Sequence, residues 1–299
     1  MRILLLGKNG QVGWELQSTL APLGELMAID LPEVDFHNLK ALETFTREAN
    51  PDLIVNAAAY TAVDQAESEP EVAMRINGEA PGVLAEIARE RGIGLVHFST
   101  DYVFDGTKGE PYKEEDPPNP LGVYGASKLA GDLAIQESGC AHLILRTSWV
   151  YGIRGSNFFL TMLRLARERE EISVVDDQIG CPTWSRSIAE VTARILKIGY
   201  RAREDRLAWG EEIPSDVYNY SSSGSTSWYG FASEIIEEDP NQDEHVVQRL
   251  MPISTEAYGA AAPRPAYSEL SKEKLGTVFG IPAEGWREQL QSCWGSYIK

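Results

Sequence analysis

Apolar residues fall along this chain in short unbroken runs separated by longer stretches that alternate with polar ones. Ile3-Leu4-Leu5-Leu6, Leu53-Ile54-Val55, Leu95-Val96-His97-Phe98 and His142-Leu143-Ile144-Leu145 are such runs, and unbroken runs of this length suit strands buried on both faces. A further strand is predicted over 25–30. Between the runs, 38–48 and 71–91 carry apolar positions at helical spacing. Strands alternating with helices predict a parallel sheet with right-handed crossovers, an α/β fold. From about residue 151 the alternation weakens into a helix over 157–170, a strand over 172–175, a helix over 187–198 and a terminal helix over 286–299. This places one domain over 1–150 and a smaller mixed α/β domain mainly over 151–299, with some elements returning to the first sheet. Glu237-Glu238-Asp239 reads as a solvated helix end.

Composition narrows the partners. With 299 residues, 43% of them hydrophobic, the chain can bury one large core or two modest ones. A net charge of -18 excludes nucleic acid and anionic membranes as expected partners, since either demands a basic surface. Any anionic ligand must then be held locally, by helix N-termini and a few cations. Cys140, Cys181 and Cys293 are odd in number and widely spaced, which suggests neither a disulfide framework nor a zinc site and fits a reducing cytoplasm. The apolar start is too short for a signal peptide, and no stretch is expected to span a bilayer.

The candidate chemistry lies at the ends of the predicted strands. Gly7-Lys8-Asn9-Gly10-Gln11-Val12-Gly13 joins the first strand to a helix bearing Trp14, Leu16 and Leu20. Glycines at this spacing allow a tight turn and let a pyrophosphate approach the first helical turn, as in Rossmann-type doubly wound sheets. Asp30 closes the second strand at the separation expected of a residue that binds an adenosine ribose. Asn56-Ala57-Ala58-Ala59 follows the third strand with side chains small enough to admit a flat ligand, and Ser99-Thr100-Asp101 ends the next. Tyr124 and Lys128 are four residues apart, so on a helix they share a face, and an ammonium beside a phenol favours its ionised form. Tyr-x-x-x-Lys alone is common; its place in this order gives it weight.

In that order, Gly7-x-x-Gly10-x-x-Gly13 and Tyr124-x-x-x-Lys128 resemble the extended short-chain dehydrogenase/reductase family. The likeness continues through Asn56 to Asp64, Ser99 to Phe104, Arg146-Thr147-Ser148-Trp149-Val150-Tyr151, Asp177-Gln178-Ile179-Gly180-Cys181-Pro182-Thr183 and Arg264-Pro265. It implies NADPH or NADH held by Gly7, Asn9, Gly10, Gln11, Val12, Gly13, Asp30, Asp35, Phe36, Ala57, Ala58 and Ala59 with Tyr124 and Lys128. Asp30 favours NADH, because it would repel a 2'-phosphate, while Lys8 partly offsets it. The resemblance further implies hydride transfer to the 4-keto carbon of dTDP-4-dehydro-β-L-rhamnose, giving dTDP-β-L-rhamnose for surface polysaccharide. Tyr124 would protonate the alkoxide, Lys128 would lower the Tyr124 pKa and bind the nicotinamide ribose, and Thr100 would hydrogen-bond near the reacting oxygen. Thr100 and Asp101 would contact substrate, Trp149 would line the hexose pocket, and Gln178, Thr183 and Arg264 would hold the dTDP group.

The related 4,6-dehydratases carry a glutamate base after the Thr-Asp pair, where this chain has Tyr102, which favours reduction over dehydration. Another dTDP-4-keto-6-deoxyhexose reductase, a sugar-nucleotide epimerase and a non-catalytic regulatory subunit of the methionine adenosyltransferase type remain open alternatives. Some family members form homodimers around Mg2+. Glu15 matches one ligand position, and Arg186 falls where another acidic ligand is expected, which counts against a metal bridge.

Overall fold

In the computed structural model, which describes residues 1–201 and 213–297, the unbroken apolar runs form the middle of a parallel sheet. Strands β1 (Arg2–Leu6), β2 (Glu25–Ile29), β3 (Leu53–Asn56), β4 (Gly94–Thr100) and β5 (Ala141–Thr147) lie in the order β2-β1-β3-β4-β5. Every neighbouring pair is parallel. β3 and β4 are buried at every position, whereas the outer strand β2 is buried only at Ile29. The winding reverses between β1 and β3, and the crevice beyond the carboxyl ends of the strands at such a reversal is where ligands enter this class of sheet.

The connecting helices are α1 (Gln11–Leu20), α2 (Leu39–Ala49), α3 (Val63–Ala66), α4 (Pro70–Met74), α5 (Ala80–Arg91) and α6 (Val123–Ser138). Asn38 caps α2 by accepting the Ala41 N–H at 3.1 Å. The helix expected over 71–91 is interrupted by a π-helical turn at Arg75–Glu79. Asn77 in that turn is buried, donates to Ser127 Oγ on α6 at 3.0 Å and accepts the Tyr60 N–H at 2.8 Å. Local widening of this kind is frequent near functional sites.

After β5 come β6 (Val150–Tyr151), α7 (Phe158–Glu168), β7 (Glu171–Val175), β8 (Ile179–Gly180), β9 (Thr183–Trp184) and α8 (Ser185–Arg201). The remainder is β10 (Asp216–Asn219), β11 (Thr226–Ser227), α9 (Trp228–Glu238), β12 (Arg249–Ile253), α10 (Thr255–Tyr258), α11 (Glu273–Phe279) and α12 (Trp286–Tyr297). The expected terminal helix thus runs to Tyr297, and positions 298–299 lie outside the described residues. β10 pairs with β5 as a sixth parallel strand. α8 packs on α1, and its Ile188, Ile195 and Leu196 join the apolar layer of Leu5, Leu16 and Leu20. The opposite face is covered by α2 and α5. A separate aromatic cluster of Tyr151, Phe159, Phe231, Trp286 and Trp294 unites α7, α9 and α12.

Asp239 departs from the solvated reading of its segment: it is 2% exposed, and its carboxylate meets Arg167 at 2.8 Å and His245 at 2.9 Å. All three cysteines are buried and free. Among the described residues no helix is long and apolar enough to cross a membrane.

Candidate active site

The glycine loop after β1 is shaped by contact with the loop after β3. Gly7 has φ +84°, and a Cβ there would lie 2.5 Å from Ala58 N, while a Cβ on Gly13 would lie 1.9 Å from Gly7 O. Gly10 is different: its φ is -68°, and a Cβ would meet nothing closer than Gly7 O at an ordinary 3.4 Å. The chain's own packing therefore requires glycine at 7 and 13 but not at 10, where the open surface leads to the first turn of α1. That turn has no side-chain cap and no acidic residue, so its N–H groups are available to an anion. A dinucleotide pyrophosphate fits this cradle.

Asp30 closes β2 beside the loop. Its Oδ2 accepts the Asn9 N–H at 2.9 Å and its Oδ1 accepts the Leu31 N–H at 2.8 Å. Lys8 pairs with Glu33. Farther along, Asp35 accepts the His37 N–H at 2.9 Å, and Phe36 is buried in the layer under α2 and α5. The Gln11 side chain turns toward Val150 O at 3.4 Å. Gly7, Asn9, Gly13, Asp30 and Ala58 are thus assembled by direct contact at the switch point, with Gly10, Gln11, Val12, Ala57 and Ala59 adjoining them in sequence.

At the end of β4 the Thr100 hydroxyl donates to Asp101 Oδ1 at 3.1 Å and accepts the Tyr102 N–H at 3.2 Å. Asp101 is 2% exposed and accepts Ser148 Oγ at 2.9 Å; burial pushes its carboxyl up to about 6 against the hydrogen bonds it receives. The start of α6 is fixed by Glu67, whose carboxylate accepts the Val123 N–H at 2.8 Å. The Tyr102 and Tyr124 rings meet edge to face at 5.8 Å.

The expected lowering of the Tyr124 pKa by Lys128 is not what the structure shows. Burial pushes the phenol up to about 12, a Thr100 hydrogen bond works the other way, and Asp101 and Asp132 add to the rise. The Lys128 nitrogen instead donates to Phe98 O at 2.6 Å and lies 3.1 Å from His97 Nε2. Burial brings its pKa down to about 8, opposed by Asp132. A spacing of four puts two residues on one helix face, but it does not settle where a long side chain ends.

On the other side of the cleft Trp149 has φ +45°, a left-handed conformation that a bulky residue adopts only when its surroundings over-determine it. Its ring stacks on Trp228 at 3.5 Å and 4°. Gln178 accepts Trp228 Nε1–H at 3.2 Å and donates to Thr255 Oγ1 at 2.9 Å, so it sets the Trp228 ring. Arg264 makes a two-pronged pair with Asp64, at 3.0 and 2.7 Å, and those hydrogen bonds hold the Asp64 carboxyl below its ordinary range. Thr183 is a correction. It is fully buried, donates to Cys181 O at 3.0 Å and accepts the Ser222 N–H at 3.3 Å, so it braces the loop and has no face for a ligand.

Trp228 carried no motif, and Ser148 and Asp64 lay inside family-like segments without a chemical signal of their own. The residues expected at a metal bridge do not suit one. Arg186 meets Glu15 at 3.1 Å, Glu190 at 2.7 Å and Ser18 Oγ at 3.1 Å, which puts a guanidinium where a cation would sit. Among the described residues no cluster of three or more acidic, histidine or cysteine side chains could hold a metal.

Residues 1–298 match the model of a family described as the RmlD substrate binding domain. The chain is 49% identical over 296 residues to the dTDP-4-dehydrorhamnose reductase of Burkholderia thailandensis, covering 98% of each chain. It is 44% identical over 292 residues to the enzyme of the same name from Escherichia coli K12, covering 96% of this chain and 95% of that one. A crystal structure of dTDP-4-dehydrorhamnose reductase from Bacillus anthracis in complex with NADP superposes with a TM-score of 0.87 at 36% identity over 99% of each chain.

Proposed function

Because the chain belongs to the RmlD substrate binding domain family, we propose that it reduces the 4-keto group of dTDP-4-dehydro-β-L-rhamnose with NAD(P)H to give dTDP-β-L-rhamnose. The observation that carries this reading is Thr100 at the carboxyl end of β4 in hydrogen-bond reach of the half-buried Tyr124 phenol, with buried Lys128 one helical turn further along α6, beside a glycine loop whose open side suits a dinucleotide. A reduced nicotinamide bound there supplies the hydride.

The first-turn N–H groups of α1 face the pyrophosphate, and Asp30 with Asn9 takes the adenosine ribose. Tyr124 is the general acid. With its pKa near 12 it stays protonated across the neutral range and is still a stronger acid than the sugar alcohol, so its proton passes to the alkoxide downhill. Thr100 orients that phenol and the reacting oxygen, and Lys128 sits behind them at Phe98 O. Trp149, stacked on Trp228, backs the hexose side of the cleft, with Gln178 holding Trp228 in place. Arg264 takes the diphosphate by exchanging the Asp64 carboxylate for phosphate oxygens, a swap that suits its two-pronged geometry. Tyr102 leaves no carboxylate where a dehydratase places its base. A homodimer in the cytoplasm belongs to the same reading.

The test is to supply dTDP-4-dehydrorhamnose with NADH or NADPH, follow the nicotinamide absorbance and identify the product by NMR. dTDP-L-rhamnose is expected. A product epimeric at the reduced carbon, or conversion of dTDP-glucose to the 4-keto-6-deoxy sugar, overturns the assignment.

A further inference from the structure

Beneath Lys128 runs a chain of hydrogen bonds whose direction is set at its far end. The Ala58 N–H can only donate, and it meets Asn56 Oδ1 at 3.2 Å. That orients the carboxamide, so Asn56 Nδ2–H donates to His97 Nδ1 at 3.1 Å. In a neutral imidazole an accepting Nδ1 leaves the proton on Nε2, and Nε2 lies 3.1 Å from the Lys128 nitrogen. An ammonium has three donors and no lone pair. Facing an N–H at Nε2, it sets donor against donor; an amine in its place accepts that N–H while still donating to Phe98 O at 2.6 Å. Asn56, His97 and Lys128 are 3%, 1% and 1% exposed, so solvent does not relieve the mismatch.

Other groups around Lys128 pull in different directions. Its own helix contributes Tyr124 and Asp132; Asp132 favours the charged lysine and is itself paired with Arg146 of β5 at 3.3 Å. β4 contributes His97, which burial and then Lys128 hold well below its usual pKa, hence neutral. Asp101 lies beyond Thr100, the π-helical turn contributes uncharged Asn77, and Glu67 is engaged at the Val123 N–H.

We propose that Asn56 and His97 are positioning residues for Lys128, forming with the Ala58 N–H a one-way chain that pins the lysine nitrogen at Phe98 O and biases it toward the neutral amine. The role this gives them in turnover rests on the reading of Lys128 as part of the reducing site. The relay itself is a statement about protons in the folded chain, and it can be read without substrate.

The experiment uses the full chain labelled with 13C at the lysine ε-carbons and 15N in the histidine rings. Signals are assigned by their loss in Lys128→Met and His97→Phe. In the unaltered protein at neutral pH, the ring nitrogens of His97 are expected to report the Nε2–H tautomer; an Nδ1–H tautomer overturns the proposal. Asn56→Asp accepts both the Ala58 N–H and an Nδ1–H, frees the Nε2 lone pair for an ammonium, and should raise the Lys128 titration midpoint by about one pH unit or more. In the His97→Phe background the same substitution should move the midpoint by less than about a third as much, since only the through-space effect of the new charge remains. An unchanged midpoint in Asn56→Asp, or a full shift retained without His97, overturns the relay. If the midpoint moves as expected while the alkaline limb of kcat for ketone reduction stays in place, the relay stands and the catalytic reading of Lys128 falls.

Discussion

Desolvation of the half-buried Tyr124 phenol raises its pKa to about 12, which suits a group whose task is to give a proton away once an alkoxide forms. Tyr124→Phe should therefore bind coenzyme as before while turnover drops by about two to four orders of magnitude, the contribution typical of a general acid; coenzyme titration and initial rates check both parts. Lys128 makes a different demand on the fold. Its pKa in the folded chain is about 8 against an ordinary 10.5, so between those values the unfolded chain binds a proton that the folded chain does not. Stability from this group then rises as pH increases through that window, and below about pH 8 the fold carries the full cost of a buried ammonium. Relative to Lys128→Met, the native chain should gain on the order of 3 kcal/mol between pH 8 and 10.5. Melting temperatures of the pair across that range measure it, and a constant difference would count against a depressed lysine.

α6 is held to the sheet by more than apolar contact. Asp132 accepts Ser99 Oγ of β4 at 2.8 Å and meets Arg146 of β5 at 3.3 Å, with both members of the ion pair almost fully buried. Burial raises the Asp132 pKa, opposed by Arg146, Lys128 and Ser99. Such a pair adds little over a well-packed apolar substitute, but removing one partner strands the other charge out of water. Asp132→Asn should accordingly destabilise the chain by about 3 to 5 kcal/mol, read as a fall in the denaturant midpoint. Because α6 also carries Tyr124 and Lys128, the same variant should lose activity before it unfolds. Across β1, α1 and β3 the controlling contacts are backbone on backbone: Gly7 and Gly13 are pressed against carbonyl and amide groups, which is why their spacing could be recognised in the chain itself.

At the scale of the whole molecule, Arg186 ties α8 to α1 through Glu15 and Ser18 while also pairing with Glu190. A built-in cation at this place predicts that EDTA leaves both the melting temperature and the sedimentation behaviour of the protein unchanged; a fall in either would show a metal held there. The parallel sheet, the glycine loop, Asp30 at the strand end and the sequence of Thr100, Tyr124 and Lys128 were all legible along the chain, because unbroken apolar runs, glycine turns and helical spacing are local properties of the backbone. That β10 is the element returning to the edge of the sheet, the packing of α8 on α1, the Trp149–Trp228 stack, the Arg264–Asp64 pair and the burial of Asp239 and Thr183 were decided only by tertiary structure. Each depends on a partner far away in sequence, and no local periodicity encodes which distant side chain will arrive. The same is true of Lys128: the sequence placed it on the face of Tyr124, but the fold turned its nitrogen toward His97 and Phe98, because a buried donor must find an acceptor and the nearest ones belonged to the sheet.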